Sequence, residues 1–468
     1  MKFNLSSLRL PNTFALLTVI LIIVAGLTWI MPGSHYDTIE MNGRQVLDPS
    51  SFAYIEADPQ GITDLLMAPI RAFVDAALII GFVLLIGGVF GVLQKTGAIE
   101  GGVRNLARAH QSSPWVRRLT IPIFMVLFSL GGAIFGMAEE VIPFILIFVP
   151  LALALEYDTM TGIAIPFIGA GAGFAGAFFN PFTVGVAQGI AELPLFSGLT
   201  YRVICWAIVT LVAIVFVMRH AAKVKRDPAL SLTYELDEEG RRQLLQSAGD
   251  AEKSMTWNHR AVLIIFGLGI LTLVYGVLEK QWYIEEISAL FMAIAFLAAM
   301  VGRLSVDETT DSFLSGAKTL VATALVIALA RSILVIAENG HIIDTILHSL
   351  AGVAGGIPPV VSAQFMFIVQ TILNLFVPSG SGQAALTMPI MAPLADLVGV
   401  TRQTAVLAFQ FGDGFSNLII PTSGVAMGVL SLARVPWSTW ARWIIWLELI
   451  FLVVGFALLV PPVLMGWQ

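Results

Sequence analysis

The sequence predicts an all-α polytopic membrane protein made of two inverted-topology repeats, each with a re-entrant helical hairpin and a broken transmembrane helix. Three observations predict it: the length of the apolar runs, the one-sided placement of lysine and arginine, and an internal duplication. Hydrophobic residues fill 57% of the 468 positions and charged ones only 12%, far from the usage of a soluble domain. Apolar runs of about 18 to 22 residues cover a hydrocarbon core of roughly 30 Å. They recur at about 12–31, 72–94, 160–194, 201–218, 261–278, 287–302, 318–337, 402–434 and 438–460. No small-residue cleavage pattern follows the first run, which reads as a retained helix and not a signal peptide. Cys205 is the single cysteine, so neither a disulfide framework nor a cysteine-based metal site is available. The net charge of −6 names no partner, and nothing points to nucleic acid.

Lysine and arginine favour the cytoplasmic side of a membrane. With the amino terminus inside, only Arg44, Arg71, Arg202, Lys280, Arg331 and Arg402 of the 25 Lys/Arg fall elsewhere. A multi-pass protein of the cytoplasmic (inner) membrane with a cytoplasmic amino terminus follows. The domain reading is a first helix and outer loop (1–64), repeat one (65–219), a cytoplasmic linker (220–258), connecting helices (259–307) and repeat two (308–468). The linker, with "RHAAKVKRD" and "DEEGRRQLL", reads as a solvated connector without chemistry. So does the polar loop from Ser34 to Thr63.

The duplication rests on three pairings. "KTGAIEGGVRNLARAHQSSP" (95–114) matches "ENGHIIDTILHSLAGVAGGIP" (338–358), "GMAEEVIP" (136–143) matches "GQAALTMP" (382–389), and "GVAQGI" (185–190) matches "GVAMGV" (424–429). An odd number of crossings between the copies inverts one against the other, a construction whose site lies near the midplane between repeats. Segments 119–156 and 359–397 each consist of two apolar stretches meeting at a glycine-rich polar tip, "GGAIFGMAEE" and "PSGSGQ". Hairpins and pairs of full crossings give the same loop parity. The tips favour hairpins, because carboxylates and irregular backbone at membrane depth need burial in protein or a watery cavity.

Each hairpin precedes a span interrupted by proline, which removes a backbone donor and clashes with the preceding turn. Breaks are expected near Asn180-Pro181 and Pro421-Thr422. Freed carbonyls there can hold a cation, and half-helix N-termini favour an anionic group. Asn180 and Thr183, with Asn417, Thr422 and Ser423, are the candidate ligands of a coupling ion, Na⁺ or H⁺; no other cofactor is expected. Glu139, Glu140 and Asp413 are the carboxylates of the tips and breaks, which contain no Lys or Arg. Ionised carboxylates at that depth need a cationic partner, which is Na⁺, a proton, or the ammonium or guanidinium group of a substrate, and all three carboxylates, Asp413 included, are candidate substrate-binding residues. Glu448 stands apart on the last helix, either as a neutral intrahelical acid or as a partner of Arg331. The substrate favoured by an acidic site without a fixed cation is a basic or zwitterionic amino acid. Its cationic group would face Glu139 or Glu140, and its carboxylate Ser379, Ser381 and Gln383. A dicarboxylate beside these acids would suffer like-charge repulsion of about 4 kcal/mol per close pair at an effective dielectric near 20.

"FGMAEEVIPF", "NPFTVGVAQG", "FVPSGSGQAALTMPIMAPLADLVGVTRQ" and "GDGFSNLIIPTSG" carry a resemblance. Over almost its whole length the chain resembles the C4-dicarboxylate anaerobic carriers (the DcuC/YfcC group) of the ion-transporter superfamily. The Glu-Glu pair of "GMAEE" is similar to the YfcC-like branch, described as basic amino acid antiporters. The resemblance implies a secondary carrier with inverted repeats, re-entrant hairpins and ion-coupled movement of small carboxylates or amino acids. The mechanism expected is alternating access, with hairpins and broken helices moving against a scaffold that pairs with a second copy. The interfacial segments 98–112 and 341–355 would act as arms between the two. The alternative substrate class is a dicarboxylate or short-chain carboxylate driven by Na⁺ or H⁺, and a passive channel is a remote third reading. An enzyme is not expected: Gln410 stands where an intramembrane aspartyl protease needs a glycine, and no His-Glu-x-x-His occurs.

Overall fold

The structure is a computed structural model and describes residues 13–41, 44–48, 50–99, 101–102, 105, 114–249, 255–280, 282, 284–353 and 357–468. Helix α1 (Thr13–Thr28) leads into a loop with two antiparallel β-pairs. β1 (Gly33–His35) pairs with β4 (Ala53–Ile55), and β2 (Thr38–Met41) with β3 (Arg44–Leu47). Then follow α2 (Ile62–Asp75), α3 (Ala77–Lys95), α4 (Pro114–Phe135), a 3₁₀ turn at Glu139–Phe144, α5 (Ile145–Ala154), α6 (Thr159–Ala175), α7 (Val184–Ile190) and α8 (Leu199–Arg226). The linker holds α9 (Tyr234–Gly249), and α10 (Trp257–Lys280) and α11 (Ile284–Gly302) follow it. The second half comprises α12 (Val306–Thr319), α13 (Val321–Asn339), α14 (Ile343–Val353), α15 (Pro359–Asn374), α16 (Gly380–Leu397), α17 (Arg402–Ser416), α18 (Gly424–Leu432) and α19 (Trp437–Met465).

Seven helices among the described residues are long and apolar enough to cross a membrane; the chain is a helical, multi-pass membrane protein. The first helix packs on α13, α2 packs on α13, α3 on α12, α4 on α6, and α15 on α17. Two of these contacts are made backbone to backbone through glycine, as apolar helices without a strong hydrophobic drive to associate require. A Cβ on Gly173 would lie 1.8 Å from the Ser129 carbonyl oxygen, and one on Gly316 would lie 2.1 Å from that of Gly87.

Both expected helix breaks are present, at 176–183 between α6 and α7 and at 417–423 between α17 and α18. The run expected at 318–337 is α13 (Val321–Asn339), and directly ahead of it stands α12, a helix outside the expected runs. Ser305 caps α12 reciprocally with Glu308, its hydroxyl accepting from the Glu308 amide at 3.1 Å and its own amide donating to Glu308 Oε2 at 2.9 Å. The helix therefore begins at Val306 and lies against α3. The 98–112 arm falls largely outside the described residues, while 341–355 contains α14.

Two stretches read as bland connectors are built in. In the polar loop, the Tyr36 amide donates to Asp344 Oδ2 at 3.1 Å, Ser34 Oγ meets Thr345 Oγ1 at 2.7 Å, and the Phe52 ring stacks on His348 at 3.7 Å. The loop is thus fastened to α14. In the linker, Ser231, Thr233 and Asp237 are buried. Asp237 Oδ1 accepts from the Thr159 amide at 2.8 Å, and Ser231 Oγ donates to Asp237 Oδ2 at 2.6 Å. Asp158 caps α6 through the Thr161 amide at 2.9 Å. It also takes His220 Nε2–H at 2.7 Å, because the Trp443 indole donates to His220 Nδ1 at 3.0 Å and leaves Nε2 as the donor. Polar groups of the linker thus complete the N-terminus of a membrane helix, and the solvated-connector reading is corrected here.

Burial works to raise the Asp158 carboxyl, but the hydrogen bonds from His220 and Thr161 outweigh it and hold the group below its ordinary value. A depressed carboxyl stabilises the fold at every pH above its unfolded value near 4, and that contribution disappears as pH falls through the folded one. Asp158→Asn is therefore expected to lower stability by about 1–3 kcal/mol at pH 7, the cost of leaving buried partners unsatisfied. The gap from the parent protein should narrow below about pH 4. Thermal midpoints of purified protein at pH 7 and pH 3.5 check this; equal midpoints at pH 7 would contradict it.

Candidate solute cavity

Both breaks and both polar tips meet at one cavity of about 240 Å³. Glu139 and Glu140 line it from the 3₁₀ turn, Thr183 from the first break, and Asn417, Thr422 and Ser423 from the second. Ser379 and Ser381 line it from the start of α16. Local sequence explains the shape. Ser379 Oγ accepts from the Gly382 amide at 3.3 Å and Ser423 Oγ from the Ala426 amide at 3.3 Å, so each starts its helix as an N-cap. The N-termini of α16 and α18 consequently open on the same space, where unsatisfied amides favour an anion. Gly136 turns the chain ahead of Glu139 with φ +74°, and a Cβ there would lie 2.7 Å from Asn180 Oδ1.

Three sequence candidates lie outside the cavity wall. Gln383 is fully buried and turns its amide to α15, donating to the Gln370 carbonyl at 2.9 Å and to Gln370 Oε1 at 2.7 Å. Its interior position on α16 sends it toward the neighbouring helix. Asn180 is buried and uses its Oδ1 to accept from the Phe182 and Thr183 amides at 2.9 and 3.3 Å, closing the loop of the first break. Asp413 is fully buried one layer behind the wall, with Oδ1 accepting from Asn417 Nδ2 at 3.1 Å. Nearby, Asn374 donates to the Asp413 carbonyl at 3.0 Å, to Ser416 Oγ at 2.8 Å and to Asn417 Oδ1 at 3.0 Å. Thr183 Oγ1, Thr422 Oγ1, Asn374 Oδ1 and Asp413 Oδ2 are buried without a hydrogen-bond partner among the described residues. Orphaned buried oxygens of this kind are costly and call for a further ligand.

The expectation of a site without a fixed cation is overturned. Arg331 of α13 lines the cavity, and its Nε donates to Asp75 Oδ2 at the end of α2. Asp75 and Arg331 both fall inside expected spans, 72–94 and 318–337, and membrane charges of opposite sign seek each other, so the pairing has a signal in the sequence. Arg331 is therefore not the partner of Glu448, whose Oε1 is buried on α19 without a hydrogen-bond partner among the described residues and away from the cavity. Asn374 was also missed, because nothing in the sequence distinguishes it from other polar residues of an apolar helix.

Broken helices, polar tips and a small charged cavity inside an apolar helical frame define a secondary transporter of small polar or charged solutes. Residues 10–463 match the family described as C4-dicarboxylate anaerobic carrier. The chain is 36% identical to the Escherichia coli (strain K12) protein named "Putative basic amino acid antiporter YfcC", covering 92% of each. It is 28% identical to a Haemophilus influenzae protein, covering 97% of each. It belongs to the C4-dicarboxylate anaerobic carrier family, as a member of the YfcC-like branch, and is a transporter and not an enzyme. Among solved structures, the YdaH transporter of Alcanivorax borkumensis aligns over 98% of this chain and 99% of its own, with 16% identity and a TM-score of 0.46.

Proposed function

We propose that the chain moves a short-chain carboxylate, dicarboxylates included, across the bacterial inner membrane by alternating access, coupled to Na⁺ or H⁺. The observation that carries this reading is the meeting of Arg331 with the N-termini of α16 and α18 in one cavity. A guanidinium and two sets of free amides supply fork and dipole contacts suited to carboxylate. The orphaned oxygens of Thr183, Thr422, Asn374 and Asp413 support a cation held next to the substrate, which would offset the repulsion from Glu139 and Glu140. In this reading the amino terminus is cytoplasmic, the segments 119–156 and 359–397 are re-entrant hairpins of two inverted halves, and the scaffold pairs with a second copy. Ser379, Ser381, Glu139 and Glu140 contact the solute, while Asn417, Thr422, Ser423 and Thr183 serve the coupling ion.

Glu139 and Glu140 on the cavity wall favour a second reading, a basic amino acid whose carboxylate meets Arg331 and whose cationic group meets the glutamates. Uptake of radiolabelled succinate and arginine into proteoliposomes, under separate Na⁺ and H⁺ gradients, decides between them. Saturable succinate accumulation driven by one gradient is the expected result. Arginine uptake without succinate uptake selects the second reading, and single-channel currents would sink the carrier altogether.

A further inference from the structure

A second cavity, of about 350 Å³, adjoins the central one on the side of the polar loop. Ser34, His35, Glu338, His341 and Asp344 line it, so loop and α14 form its outer wall. Arg331, Leu334 and Ser379 line both cavities, which makes them the partition between the two spaces. Arg331 is the only one of the three that carries a charge. Its side chain is 32% exposed and that of Asp75 is 45% exposed, so the ion pair is not sealed in the protein. A second carboxylate arriving from either cavity replaces one charge-assisted bond to the guanidinium by another, so Asp75 can be exchanged for it.

We propose that Arg331 is the specificity-determining residue at the passage between the two cavities: its guanidinium leaves Asp75 to take the carboxylate of the solute. This rests on the carboxylate reading above and holds for either substrate class named there, since both carry a carboxylate. Asp75 is then a resting partner that occupies the guanidinium when no solute is present. The planar fork of arginine binds a carboxylate through two parallel hydrogen bonds, which lysine does not reproduce. Glu338, seven residues on and therefore on the same helical face, lines the cavity on the loop side of the partition.

The two halves of the ion pair must behave differently if this is right. Counterflow of radiolabelled succinate and arginine is measured with full-length protein in proteoliposomes for the parent, Arg331→Gln, Arg331→Lys and Asp75→Asn, with thermal midpoints as the folding control. Arg331→Gln is expected to raise KM at least tenfold while kcat changes less than threefold. Arg331→Lys is expected to raise KM three- to tenfold and keeps the test open if the glutamine variant does not fold. Asp75→Asn is expected to leave KM unchanged or lower it, because the guanidinium no longer has a resident partner. A static brace predicts instead that Arg331→Gln and Asp75→Asn fail alike, and equal rises in KM overturn the proposal. Unchanged KM in both arginine variants overturns it too, while leaving the carboxylate reading standing. A parent protein that carries neither succinate nor arginine overturns both.

Discussion

Asp413→Asn is expected to abolish gradient-driven accumulation while the protein remains folded. The asparagine side chain keeps the volume of the aspartate and can still accept from Asn417 Nδ2 through its oxygen, so the bond now 3.1 Å long need not be lost. What it removes is the charge at Oδ2, an atom buried without a partner. A methyl on Gly380 would come within 3.0 Å of that oxygen and 2.4 Å of Thr183 Cγ2, so the carboxylate abuts both the first break and the start of α16. Only an ionised group there balances a cation in a medium of low dielectric. We expect at least a 100-fold loss of coupling-ion affinity, roughly 3 kcal/mol at about 1.4 kcal/mol per factor of ten. Thermal midpoint without the ion should not fall, because a buried charge lacking a partner has been removed. Ion-dependent thermal shift and proteoliposome uptake measure the two arms; uptake at the parent level would refute this role for Asp413.

The largest structural effect is expected at Gly173. Helix α6 crosses α4 with Gly173 against the Ser129 backbone, whose carbonyl oxygen, carbonyl carbon and Cα would lie 1.8, 2.5 and 2.6 Å from an added Cβ. Nothing there is the movable end of a side chain. Gly173→Ala must push the helices apart, at a cost of about 1–3 kcal/mol by analogy with overpacked cores, and Gly173→Leu should not yield folded protein. Gly267→Ala is the control: a Cβ there meets nothing within 4 Å, and alanine favours a helix by about 1 kcal/mol over glycine. Fluorescence-detected size exclusion and thermal midpoints report both. A Gly173→Ala protein as stable as the control would show that the crossing is looser than it looks.

Much of the frame was legible because it depends on local chemistry. Apolar length marks a span whatever its neighbours are. Proline alone marks no break, since Pro122, Pro166 and Pro389 stay inside continuous helices; the breaks at 176–183 and 417–423 were legible because Asn180-Pro181 and Pro421-Thr422 stand among glycines and further polar residues. Side-chain direction was harder. Ser379, Ser381, Glu139 and Glu140 reach the cavity because they sit at chain turns, where several directions are open. Gln383 sits one turn into α16, and helical geometry commits it to α15. Arg331 was misread for the same reason reversed: it lies in mid-helix, far in sequence from every tip, and only the packing of α13 on α2 brings it to the cavity. The linker and loop failed differently. Their composition is that of solvated segments, and a minority of side chains in each, such as Ser231 and Asp237, are taken up by the helices beside them.

The buried cluster around Asp158 also bears on the order in which the chain can assemble. Its members Asp158, Thr161, His220, Ser231, Thr233 and Asp237 are contributed by a stretch of chain that ends well before α10. Arg241, which donates to the Tyr157 carbonyl at 2.9 Å, closes the same stretch. A ribosome that has made the first half and the linker has therefore made everything this cluster needs except one group, in keeping with the tendency of large chains to fold N-terminal units first. The missing group is the Trp443 indole that donates to His220 Nδ1. It belongs to α19, made after the other described helices of the second half, and its arrival ties α19 to a joint whose remaining groups all precede that half.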